Sequence, residues 1–100
     1  MSSILTGQAQ TEILAHIQSR GGPFSSWYCG IAASPRDRLF VDHNVDEQNG
    51  KWVFRDCGSE AGARAAEKYL LSLGCKGGGG GGGPETRYAY AYRITSTTRE

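Results

Sequence analysis

Seven consecutive glycines at 77–83, preceded by Lys76 and followed by Pro84, limit the fold more than any other stretch of this 100-residue chain. Glycine loses the most backbone entropy on ordering, and proline lacks the N–H that helices and sheets use, so no helix or strand is expected across this run. A nest of backbone N–H groups cradling a phosphate is one reading of it. The phosphate loop of nucleotide-binding proteins, however, needs Lys-Ser/Thr after its glycines and a helix behind them, and the sequence has neither. The run reads better as a flexible tether with an r.m.s. span of roughly 15 Å. The segment beyond it can then dock on a distant edge of whatever the first part builds.

Enough apolar residue remains for one core: hydrophobic side chains make up 38% and charged ones 21% despite fifteen glycines. A chain of this length buries roughly two-thirds of its unfolded surface, which suits one domain rather than two. The net charge of +1 gives no long-range pull toward nucleic acid or anionic lipid, so any such binding depends on where individual Arg and Lys residues stand. No apolar run is long enough to span a bilayer, and the N-terminus lacks a signal peptide's basic start and apolar centre. The expectation is a soluble, cytoplasmic protein with no membrane partner. Cys29, Cys57 and Cys75 form an odd set without a CxxC, which predicts buried reduced thiols rather than disulfides or a zinc site.

Hydrophobic spacing then divides the chain. Ala9, Ile13, Leu14 and Ile17 form one stripe of a helix predicted over 6–20, stopped by Gly21-Gly22-Pro23. His16, beside that stripe, reads as structural. A strand over 27–32 places Trp27, Cys29 and Ile31 on a bulky core face and Tyr28, Gly30 and Ala32 on the other. That second face reads either as an open floor beside the Tyr28 phenol or as a small-residue surface for the next helix. Ser34 as N-cap, Pro35 at the first helical position and Asp37 in a capping-box-like role open a short helix to about His43, with Asn44 suited to a left-handed stop. On it, Arg38 is spaced for a surface ion pair with Asp42.

A turn at Gln48-Asn49-Gly50 leads to a strand over 51–57 in which Trp52 and Phe54 oppose Val53, Arg55 and Cys57. Ser59 and Glu60 open the clearest helix, with a stripe of Ala63, Ala66, Tyr69, Leu70 and Leu73 and a stop at Gly74. Glu67 lies beside the stripe, within reach of Arg64 or Lys68, and an exposed solvated carboxylate is its ordinary role. Beyond the glycines, residues 86–96 form a strand with Tyr88, Tyr90 and Tyr92 on one face, and 97–100 read as a frayed end. The single domain therefore comprises an N-terminal helix (1–22), a central core (27–74), the tether (77–84) and a C-terminal strand.

Tyr28-Cys29-Gly30, Arg38 ten residues beyond Tyr28, His43 further along the same helix, and Glu67 in the helix after the next strand together resemble the GIY-YIG nuclease domain. The resemblance covers 27–73. It implies an α+β fold with a small three-stranded, mainly antiparallel sheet flanked by about three helices. It also implies divalent-metal-dependent hydrolysis of nucleic acid, DNA by preference. By resemblance, Tyr28, Arg38, His43 and a second tyrosine are catalytic, and Glu67 holds Mg²⁺ or Mn²⁺. The family's first motif strand should precede Tyr28 by about a dozen residues, where this chain has the helix-stopping 19–23, and its late Asn has no counterpart beyond Asn49. A circular permutation supplies the missing strand: the C-terminal segment takes its place beside 27–32 and brings Tyr90, with Tyr88 and Tyr92 on the same face. The other reading is a catalytically inactive module on the same fold that binds nucleic acid or a protein partner.

Overall fold

The computed structural model describes residues 2–77 and 85–100, with side chains from residue 7 onward. The predicted tether lies outside the described residues except for Gly77. The architecture is α+β: a three-stranded antiparallel sheet of β1 (Trp27–Ala32), β2 (Trp52–Asp56) and β3 (Tyr88–Arg93), with α1 (Ser2–Arg20), α2 (Pro35–Asp37, continuing as a π turn over Arg38–Asp42) and α3 (Glu60–Ser72). The C-terminal strand is central, in the order β1-β3-β2. It pairs with β1 so that Tyr28 stands opposite Tyr92 and Gly30 opposite Tyr90, and with β2 so that Trp52 stands opposite Tyr92.

The alternation read from the sequence determines which side chains face which layer. Trp27, Cys29, Ile31, Val53, Ala89 and Ala91 point to one face, where Ala9, Ile13 and Ile17 of α1 and Ala63, Ala66 and Leu70 of α3 close the main core. The four alanines of α3 and β3 let backbone approach backbone, while Trp27, fully buried, is the largest side chain in this core. Trp27 also takes the edge of His16, whose ring centroid lies 6.3 Å away. Burial lowers the His16 pKa, and its Nε2 has no hydrogen-bond partner among the described residues, so the neutral ring is the stable form. On the opposite face, Tyr90, Tyr92, Leu39 and Val45 form a second cluster edged by Tyr28, Phe40, Trp52 and Phe54.

Several local expectations change. The first helix begins at Ser2 rather than at residue 6, and β3 is shorter than 86–96. Ser59 caps α3 as expected, accepting from Gly62 N at 3.0 Å, but Ser34 makes no capping bond to α2. The segment after Pro35 widens instead: His43 N donates to Arg38 O at 2.8 Å, five residues back. Asn44 then turns the chain with φ 56°, in the left-handed region its side chain tolerates. Such widened turns place one side chain where a regular helix would not, and they recur at functional sites. The three cysteines are buried thiols without disulfides, and Cys29 and Cys75 hydrogen-bond each other. No helix among the described residues is long and apolar enough to cross a membrane.

Candidate active site

Four rings meet on the sheet face opposite α1 and α3. Antiparallel register stacks Tyr28 on Tyr92, with centroids 5.3 Å apart and planes at 26°. The π turn lowers His43 onto them, 4.9 Å from both Tyr28 and Tyr92 and 5.6 Å from Tyr90. His43 is only 6% exposed. The Tyr90 phenol lies across Gly30, so closely that a β-carbon there would come within 2.5 Å of the hydroxyl oxygen. Gly30 thus leaves no open floor; its missing side chain is the space that Tyr90 occupies.

Both nitrogens of His43 are engaged. Nδ1 lies 2.6 Å from the Arg99 carbonyl and Nε2 lies 2.8 Å from the Tyr90 hydroxyl. A carbonyl oxygen only accepts, so Nδ1 must carry the proton. In the neutral ring Nε2 is then an acceptor, and the Tyr90 O–H donates to it. Tyr92 O–H donates to the same Arg99 carbonyl at 3.2 Å. Arg99 N donates to His43 O at 2.7 Å, and Asn44 Nδ2 to Thr97 O at 3.0 Å, so residues 97–99 are docked rather than frayed. This contact had no sequence signal, because a backbone carbonyl is what holds the ring and any residue supplies one.

Charge around Tyr90 is mixed. Burial raises its pKa well above the ordinary phenol value; neighbouring Tyr28, Cys29 and Glu67 push the same way, while the Arg38 guanidinium opposes them. Arg38 is therefore in electrostatic reach of the phenol. It also makes the expected i,i+4 pair with Asp42, at 3.3 Å, and lines a cleft of about 380 Å³ beside Asp37 and Glu85. Tyr28, His43 and Tyr90 lie in one cluster with Arg38 in electrostatic reach, whereas Glu67, on α3, belongs to the other side of the sheet and is linked to Tyr90 only by a long-range electrostatic effect.

Glu67 departs most from its ordinary role. It is 8% exposed, buried on the α3 face that packs under the sheet, and burial raises its pKa against a smaller opposing effect of Arg64. Arg64 directs Nε and Nη2 to Glu60, at 3.1 and 2.9 Å. Among the described residues no three His, Cys, Asp or Glu side chains gather into a metal cluster. Mg²⁺ commonly keeps several waters and uses one or two protein carboxylates together with substrate phosphates. A single desolvated carboxylate that gains from a cation's charge fits that kind of site. No family model matches the chain, and no curated protein or solved structure matches it either.

Proposed function

We propose that this chain hydrolyses phosphodiester bonds in nucleic acid, DNA by preference, with a divalent ion, in the manner of the GIY-YIG nucleases it resembles. The observation that carries this reading is the relay Tyr90 O–H to His43 Nε2, with Nδ1–H fixed by the Arg99 carbonyl. A water placed on Tyr90 gives its proton to the phenol oxygen as the phenol's own proton passes to His43. The raised pKa of Tyr90 makes a standing phenolate unfavourable, so the two transfers are coupled. The hydroxide forms the new P–O bond, the bond to the leaving oxygen breaks, and the imidazolium holds the proton that the leaving oxygen finally needs. Arg38, released from Asp42, offsets the charge growing on the phosphoryl oxygens. Glu67 would hold Mg²⁺ or Mn²⁺, which supplies stabilisation of the leaving oxygen when bound.

Tyr90→Phe tests the relay with little change of shape, since the ring over Gly30 is retained. Metal-dependent cleavage of a labelled oligonucleotide is expected to fall by about 10²–10⁴-fold, the usual worth of general acid–base catalysis. Histidine ¹⁵N NMR of the same variant should still show the Nδ1–H tautomer at His43. Cleavage by Tyr90→Phe at the wild-type rate would sink the mechanism. A second reading, an inactive nucleic-acid- or protein-binding module, draws on one observation: both His43 nitrogens and the Arg38 guanidinium already have partners within the chain.

A further inference from the structure

We propose that the cleft at the end of the sheet formed by Lys51 and Arg93 binds a backbone phosphate of single-stranded nucleic acid, outside the phosphate that is cleaved; its assignment to nucleic acid rests on the hydrolase reading. The cleft measures about 440 Å³ and is lined by Asn49, Gly50, Lys51, Arg93, Ile94 and Thr95, without a carboxylate. Its two cations are cross-strand neighbours. Trp52 is paired with Tyr92, so Lys51 and Arg93 stand opposite each other one residue further on, with Arg93 N donating to Lys51 O at 2.9 Å. Like charges placed opposite each other on paired strands destabilise a sheet. Five other arginines have a carboxylate: Arg36 pairs with Glu47, Arg38 with Asp42, Arg55 with Glu12, Arg64 with Glu60 and Arg87 with Asp56; among the described residues Arg20 and Arg99 do not, but neither stands opposite a second cation on a paired strand. Neither Lys51 nor Arg93 has such a partner among the described residues.

The carboxylate of the neighbouring cleft does not relieve them. Asp46 lines the adjoining cleft, but its oxygens accept from Gln48 N, Asn49 N and Asn49 Nδ2, which ties it to its own turn. Arg93 is held in place on its other side. Its Nη2 would lie 3.2 Å from a β-carbon at Gly22, so the guanidinium rests against that glycine. A guanidinium fork and a lysine lining one cleft suit an oxyanion with several acceptors. The cleft opens one residue beyond the Trp52–Tyr92 pair, and Tyr92 belongs to the candidate active site. Arg93 alternates with Tyr92 and turns to the α1 side, so one strand of nucleic acid reaches both places only by passing over the end of the sheet.

The test uses the full chain with Lys51→Gln and Arg93→Gln combined. Binding of a fluorescent single-stranded oligonucleotide is followed by anisotropy over a range of salt, with EDTA present. The double variant should bind more weakly, and its slope of log K against log salt should fall by about 0.7, the worth of one phosphate contact for single strands. Its melting temperature should not fall, because the change removes a repulsion. In parallel, inorganic phosphate should shift the amide NMR signals of Lys51 and Thr95 in the wild type and not in the variant. An unchanged salt slope with unchanged phosphate shifts would overturn the site while leaving cleavage, and the hydrolase reading, intact. Phosphate shifts without any oligonucleotide binding would overturn the assignment to nucleic acid and count against the hydrolase reading as well.

Discussion

Replacing Gly30 with alanine is expected to lower the melting temperature by roughly 8–30 °C and to abolish activity even where the protein remains folded. The added β-carbon would meet the Tyr90 hydroxyl oxygen at 2.5 Å, its Cζ at 2.6 Å and its Cε2 at 3.0 Å. A flexible side chain would swing away at little cost. Tyr90 is rigid, 3% exposed and hydrogen-bonded to His43, so either the ring leaves its seat or β1 shifts against β3. Overpacking of this kind costs about 1–3 kcal/mol, and loss of the Tyr90–His43 bond adds about 1 kcal/mol. Thermal unfolding followed by circular dichroism reads the first effect, and near-ultraviolet tyrosine signals read displacement of the ring. An unchanged melting temperature would mean that Tyr90 does not fill the space above Gly30.

Replacing Glu67 with glutamine is expected to separate stability from function. Most substitutions at buried positions destabilise, but here the buried group is a carboxylate whose charge the fold disfavours. Its folded pKa is raised, so the stability it contributes is present below the ordinary Glu range and is lost as pH rises through the folded value. At pH 7 the wild type therefore carries a cost that glutamine removes. A higher melting temperature than that of the wild type is expected at pH 7. That gain should shrink as pH falls from the raised folded value toward the ordinary Glu value and be absent below it, where the wild-type carboxyl is protonated in both states. Metal-dependent cleavage should drop to background in the same variant. A variant that is less stable at pH 7 and equally active would show Glu67 to be an ordinary structural acid.

The fold was legible because its elements depend on short-range pattern. Alternation in 27–32 and 86–96 and the stripe through Ala63, Ala66 and Leu70 each identify an element and its buried face without knowledge of the rest. Local turns followed the same rule at Asn44 and Gly74, which take positive φ where the sequence predicted stops. What was not legible depends on pairing between distant segments. The fit of Tyr90 over Gly30 comes from register across a strand pair separated in the chain by α2, β2, α3 and the glycine-rich segment. The burial of Glu67 arises because Ala63 and Ala66 let α3 sit close to the sheet, which draws in a neighbour that would otherwise reach water. The hold on His43 comes from a backbone carbonyl at Arg99, to which composition is blind. Tyr28, His43 and Tyr90 were singled out by a spacing that resembles the GIY-YIG motif, and it is the long-range register that brings them together.

The most direct test of the account incubates the purified wild-type chain with labelled single-stranded and duplex oligonucleotides in Mn²⁺ or Mg²⁺, beside an EDTA control. The account predicts cleavage with either metal that EDTA abolishes. Intact oligonucleotide under both metals, from protein shown to be folded, would contradict it.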